Sequence, residues 1–182
     1  ASGGAAPSVC FAPGTDPAIV EAFERAHTPA FAARFQNATQ WTLTATDTTE
    51  FGQGDQCTIT YSFVPDGTVV DESDGSTSNL FARMNAIYGD AATWQQIYAD
   101  MFALWGSLCG VKYVQETADD GIAFSEVTPC GGVLGVRGDV RLSGSAIDGN
   151  SNVLAYNYYP EPGGGIGIGG EMVVDTADNF FD

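Results

Sequence analysis

Residues 138–178, GDVRLSGSAIDGNSNVLAYNYYPEPGGGIGIGGEMVVDTAD, constrain the fold more than any other stretch. Three short apolar runs, at 140–142, 153–159 and 172–174, are separated by Asp148-Gly149-Asn150-Ser151-Asn152 and by a glycine-rich run over 163–170. Short β-rich runs bounded by Gly, Asn, Asp and Pro read as strands. The acids Asp139, Asp148, Glu171, Asp175 and Asp178 fall at the strand ends and in the loops. That placement suits a hard cation, because calcium takes carboxylate and backbone carbonyl oxygens from loops that wrap it.

Upstream, Asp16-Pro17 opens a helix, with Asp as N-cap and Pro in the first turn. His27, the one histidine of the chain, reads as a packed or half-exposed helix residue, since no second histidine exists to share a metal. Residues 41–50 begin with apolar/polar alternation and read as a strand with a threonine outer face. In residues 57–64, Ile59, Tyr61 and Phe63 alternate with Thr58, Thr60 and Ser62, the pattern of a half-buried strand. Asp71, Glu72 and Asp74 mark a polar loop. Ser78 or Asn79 caps a helix that Gly89 ends. From Thr93 to Leu108, the residues Trp94, Ile97, Tyr98, Met101, Leu104, Trp105 and Leu108 repeat at helical spacing and predict a long amphipathic helix covering a sheet. A strand–helix–strand crossover implies parallel pairing.

The 138–178 stretch resembles the middle of a matrixin-type metallopeptidase domain of the metzincin clan. The likeness runs in order through Gly-Asp-Val-Arg-Leu, an Asp-Gly loop, Val-Leu-Ala-Tyr-Asn-Tyr-Tyr-Pro, a glycine loop and Gly-Gly-Glu-Met-Val-Val-Asp. It continues more weakly through Thr58-Ile59-Thr60-Tyr61-Ser62-Phe63-Val64 and the helix ending near Trp105. The resemblance implies an α/β (α+β) fold: a twisted five-stranded, mostly parallel sheet with one antiparallel edge strand, Val153–Tyr158, packed on the long helix. Residues 1–40 form an N-terminal arm and helical segment, and 41–182 the sheet and helix domain. A first calcium site is implied at the Asp148, Asp175 and Asp178 carboxylates with the carbonyls of Gly149, Ser151 and Val153. A second is implied at Asp139 and Glu171 with the carbonyls of Gly167 and Gly169. The family's structural zinc ligands fall at Ser145, Tyr156 and Val173, which are no zinc ligands in that role. The family's zinc helix, H-E-x-x-H-x-x-G-x-x-H, follows shortly after the position of Asp178; no such motif occurs up to Asp182.

Composition bounds the rest. A net charge of −17, with Lys112 the one lysine, repels nucleic acid and anionic membranes. No apolar run reaches the roughly 18 residues of a membrane span. The start Ala-Ser-Gly-Gly-Ala-Ala-Pro reads as a mature end after signal-peptide removal, hence an extracellular or cell-surface location. Cys10, Cys57, Cys109 and Cys130 lack C-x-x-C spacing and read as two disulfides. Three pairings are open, and Cys10–Cys57 with Cys109–Cys130 is preferred because the second closes a local loop. Asn37-Ala38-Thr39 matches the N-glycosylation acceptor pattern.

Together these features predict a secreted, calcium-binding, matrixin-like module, non-catalytic as given and without zinc. It is expected to self-assemble into a filament or surface layer through an uncovered sheet face or the edge strand. The alternative is the front lobe of a calcium-stabilised zinc endopeptidase whose H-E-x-x-H helix lies beyond residue 182. A third reading, a carbohydrate-binding or adhesive domain, rests on exposed tyrosine and tryptophan alone.

Overall fold

The computed structural model describes residues 7–27, 41–52, 54–127, 131–160 and 169–179. In chain order the elements are β1 (Pro7–Phe11), α1 (Pro17–His27), β2 (Cys57–Phe63), β3 (Val69–Asp71), β4 (Ser76–Thr77), α2 (Leu80–Tyr88), α3 (Ala91–Leu108) and β5 (Val111–Gln115). A 3-10 turn (Phe124–Glu126), β6 (Val140–Ser145), β7 (Val153–Tyr158) and β8 (Met172–Asp175) complete the series. The architecture is mixed α/β. Six strands form one sheet in the order β1-β7-β8-β6-β2-β5, and β3 and β4 make a separate hairpin. Pairings β2–β5, β2–β6 and β6–β8 are parallel, whereas β7–β8 and β1–β7 are antiparallel.

The sheet therefore has six strands rather than five, and Val153–Tyr158 is not its edge. Residues 7–11 of the arm pair with β7, in register from Pro7 opposite Tyr158 to Phe11 opposite Val153. An open β7 edge would leave a row of N–H and C=O groups without partners, and β1 satisfies them. Pro7, which has no N–H to give, is tolerated because β1 is itself an edge strand. Phe11 then meets Phe23 of α1 edge to face at 5.8 Å. The arm is part of the main sheet.

One face of the sheet packs on the helices. Tyr61, Phe63, Leu142, Ala155 and Val174 meet Leu80, Met84 and Trp94 in the main core. Aromatic rings fix the fit: Phe63 lies 4.9 Å from Trp94 and 5.4 Å from Tyr98, and Tyr61 lies 4.3 Å from Phe102. Burial pushes the Tyr98 phenol up to about 12. The predicted stripe on α3 is only partly core. Ala91, Trp94, Tyr98 and Phe102 face the sheet, while Ile97, Met101, Leu104, Trp105 and Leu108 are exposed. Residues 94, 98 and 102 climb the contact line at i, i+4, i+8, and the remaining apolar residues project from a second side of the helix.

The opposite face of β2 is buried too, so the strand is not half-exposed as its alternation predicts. Parallel strands are normally covered on both faces. Thr60 and Ser62 are buried there because carboxylates satisfy them. The Thr60 hydroxyl donates to Asp139 Oδ2 at 2.7 Å, and the Ser62 hydroxyl to Asp119 Oδ2 at 2.6 Å. Arg141 of β6 donates through Nε and Nη2 to both Asp119 oxygens, at 3.0 and 2.7 Å. Both side chains are 1% exposed, and the guanidinium sits 5.1 Å above the Phe124 ring. Val64, Val70, Phe124 and Val173 form the apolar part of this layer.

Local signals set the helix ends. Asp16 Oδ1 accepts from Ala18 N at 2.8 Å, and Asp90 caps α3 through Thr93 N at 2.8 Å. For α2 the N-cap position is Asn79, but its side chain makes no cap bond; Asp66 supplies it, accepting from Phe81 N and Ala82 N at 2.9 and 2.8 Å. The predicted strand at 41–50 is irregular. Its Thr44 and Asp47 side chains bond backbone instead, Asp47 reaching Thr58 N at 2.6 Å, a competition that short polar residues win against strand pairing. No helix among the described residues is long and apolar enough to cross a membrane.

Burial alone would raise the Asp119 carboxyl, but Arg141 and the Ser62 hydroxyl hold it below its ordinary value. Asp119→Asn should therefore cost about 3–5 kcal/mol in denaturant unfolding, because it strands a buried guanidinium. Replacing Asp119 and Arg141 together by apolar residues should cost less than either single change. The wild-type contribution is present above the unfolded carboxylate pKa of about 3.9 and is lost as pH falls through the lower folded value. Acid titration of wild type against Asp119→Asn checks the sign.

Candidate metal centre

Three of the predicted calcium ligands converge where β6 hands over to β7 and β8 ends. Asp175 closes β8, and Asp178 follows three residues later. Both are fully buried. Asp148 stands opposite them in the β6–β7 loop, and its side chain is exposed. The loop is unusual in backbone: Gly149 has φ 89°, Ser151 72° and Asn152 77°. Left-handed conformations at two consecutive non-glycine residues cost energy and persist only where the surroundings hold them.

The holding contacts run from loop amides to the acids. Asp148 N donates to Asp175 Oδ2 at 3.1 Å, Ser151 N donates to Asp178 Oδ1, and Val153 N donates to Asp148 Oδ2 at 3.5 Å. Asn179 N reaches back to Asn150 Oδ1 at 3.3 Å, and Ala177 N closes on Asp175 Oδ1 at 2.8 Å. One oxygen is left over: Asp178 Oδ2 is buried and has no partner. The Asp148 carboxyl is raised by partial burial and, after the opposing bond from Val153 N, by the charges of Asp175 and Asp178. Three mutually repelling carboxylates, one of them with an orphaned buried oxygen, make a donor set that suits a hard cation. At Ser151 and Val153 it is the amides that face the acids, and no three His, Cys, Asp or Glu side chains among the described residues stand in ligating arrangement.

In the second predicted set the two acids are engaged differently. Asp139 spends both oxygens on the fold, accepting from Ala45 N at 2.7 Å, Gly132 N at 2.9 Å, and Thr60 N and hydroxyl at 2.8 and 2.7 Å. Glu171 faces different company. Burial pushes its carboxyl up to about 8, with Arg141 and Arg137 pulling down and Asp119 pushing up; its Oε2 is unpartnered. Gly169 is buried, and Gly167 lies outside the described residues.

Tyr156 and Tyr158 pack edge to face at 5.7 Å and line a cavity of about 290 Å³ with Phe23, Asp71, Asp74 and Ser76. Burial, foremost, raises both phenols. Cys10, Cys57 and Cys109 are free thiols. Cys10 on β1 and Cys57 on β2 have β7, β8 and β6 between them. Four strand spacings make roughly 19 Å, against the 4.4–6.8 Å that a disulfide spans between Cα atoms, so the preferred Cys10–Cys57 bridge does not fit this sheet order. Cys130, Asn37 and the side chain of His27 lie outside the described residues.

A feature that sequence reading missed is an apolar groove of about 300 Å³ lined by Met84, Tyr88, Ile97, Met101, Leu154 and Met172, among others. Its signal is the excess of apolar residues on α3 beyond what one face can bury. No protein-family model, no curated protein and no solved structure matches this chain.

Calcium at about 100 times its Kd should stabilise the chain by roughly 2.7 kcal/mol. Asp175→Ala should abolish that response, and Asp139→Asn should lower stability equally with and without calcium. Thermal melts in calcium and in chelator measure both, and identical curves would exclude the site.

Proposed function

We propose that this chain is the calcium-stabilised front lobe of an extracellular matrixin-like zinc endopeptidase, with no catalysis of its own. The observation that carries this reading is the groove beside α3. A helix apolar on more than one side is normally covered on more than one side, and large open apolar surface marks a place where something docks. The groove runs between α3 and the β7 and β8 strands. Arg83 Nη2 holds the Asp178 carbonyl at 2.8 Å, which ties the chain at residue 178 to α2. Met84 and Tyr88 of that same helix line the groove. An occupant of the groove would therefore lie against the helix to which Asp178 is tied. An amphipathic helix there, bearing the histidines the resemblance implies, would complete both the core and the metal site.

The second reading, a non-catalytic extracellular subunit that self-assembles, draws on the far end of α3. Leu104, Trp105 and Leu108 are 62%, 62% and 71% exposed, and a copy's apolar surface would cover them. In that reading β1 stays on its own β7 and the α3 side makes the contact.

Zinc and a casein-like substrate should give no cleavage with residues 1–182, whereas the chain extended through its natural downstream sequence should cleave. An inert extended chain would exclude the front-lobe reading. Light scattering of residues 1–182 decides the second. Assemblies well above 19.0 kDa that Trp105→Glu returns to monomer would support self-assembly, and a stable monomer at high concentration would remove it.

A further inference from the structure

The β2–α3–β5 crossover brings two cysteines to one end of the sheet. Cys57 opens β2 and lies opposite Val111 on the parallel neighbour β5. Cys109, two residues before Val111, is the C-cap of α3. Side chains alternate along a strand, so Cys57 points to the same side as Ile59, Tyr61 and Phe63, the side on which α3 packs. An open cavity of about 540 Å³ lies at this corner, lined by both cysteines with Asp47, Gln56, Gly106 and Lys112. Cys57 is buried and Cys109 exposed, the latter with its sulfur 3.2 Å from the Trp105 carbonyl. The Cys57 thiol is raised first by burial, then by Asp47 and by Cys109. Both cysteines also raise Tyr113, after its own burial.

We propose that Cys57 and Cys109 form a disulfide that staples the start of β2 to the end of α3. Cys10 is no competitor, because it sits on the far edge strand. The oxidant is a low-molecular-weight disulfide such as oxidised glutathione. The exposed Cys109 thiolate attacks one of its sulfurs, forming a mixed disulfide and releasing one thiol. The Cys57 thiolate then attacks Cys109 Sγ, the intramolecular S–S bond forms, and the second thiol leaves. The two protons of the protein thiols pass to the two released thiolates. Two protein thiols are oxidised and one external disulfide is reduced. Burial of Cys57 makes the second attack the slow step.

The staple closes a loop that contains the hairpin β3–β4 and both α2 and α3, so it constrains the unfolded chain over a long stretch. Its predicted effect is a melting temperature roughly 10 °C higher in the oxidised form.

The test equilibrates the full chain in a glutathione redox buffer, alkylates it, and digests it without reduction for mass spectrometry. A Cys57–Cys109 cross-linked peptide is expected, with loss of two hydrogen atoms from the intact mass. Cys109→Ser, a change at an exposed position, should melt like the reduced wild type and ignore reductant. Cys10→Ser should keep the full response. Cys57 linked to Cys130, or Cys57 and Cys109 both alkylated after oxidation, would overturn the proposal.

Discussion

The buried Asp119–Arg141 pair is the contact on which the non-helical face of the sheet depends. Arg141 stands on β6 at the centre of the sheet, and its guanidinium has no route to water. A cation in that position is stable only if its partner is equally fixed. Arg141 grips both Asp119 oxygens, and two further contacts fix that carboxylate: the Ser62 hydroxyl donates to one oxygen, and Gly121 N donates to the other at 3.0 Å. The segment after β5 is thereby drawn across the sheet, and Phe124 lands over Arg141. The apolar contacts of Val64, Val70 and Val173 then close around Phe124.

The same logic explains how so acidic a chain folds with six basic residues. Among the described residues, many carboxylates are served by backbone amides. Asp16, Asp66 and Asp90 accept helix amides. Asp47 accepts from Thr58 N, and Asp139 from Thr60, Ala45 and Gly132. Charge-assisted bonds of this kind are shorter and stronger than neutral ones, and those of Asp66 and Asp139 also join segments distant in sequence. Gly138 shows how tightly that packing runs: a Cβ there would stand 2.5 Å from Ser62 N. Two carboxylates differ: Asp178 and Glu171 each keep one buried oxygen that no donor serves. The Asp178 oxygen lies in the β6–β8 corner, where loop amides also bond Asp148 and Asp175.

Features decided within a few residues were legible in the sequence. Asp16-Pro17, the Gly89 stop, the Cys57–Phe63 strand and the runs that became β6, β7 and β8 all carry local signals. The position of Asp148 against Asp175 and Asp178 also followed from an ordered motif. Features decided by long-range pairing were not legible. Nothing local says that Pro7–Phe11 pairs with a strand almost 150 residues later, that Asp66 rather than Ser78 caps α2, or that Asp139 is consumed by backbone donors. The stripe on α3 misled for a different reason: helical periodicity reports that residues share a side, not that something covers it. Threonine alternation at 41–50 misled because hydroxyl and carboxylate groups offered the backbone a nearer partner.

The carboxylate corner and the apolar groove are mechanically joined. Arg83 lies on α2 one residue before Met84, and its guanidinium holds the main chain of Asp178. Met84 in turn is buried against the sheet and borders the groove. Any charge that orders the Asp178 carboxylate also orders the carbonyl that Arg83 grips, and through it the helix forming one wall of the groove. In its absence, repulsion among Asp148, Asp175 and Asp178 acts on the same wall. A cation at this corner would therefore do more than neutralise three acids: it would set the groove's shape before anything docks there. Pre-organising a docking surface raises affinity by removing an ordering penalty from the binding step, so occupancy of the corner and filling of the groove should favour each other.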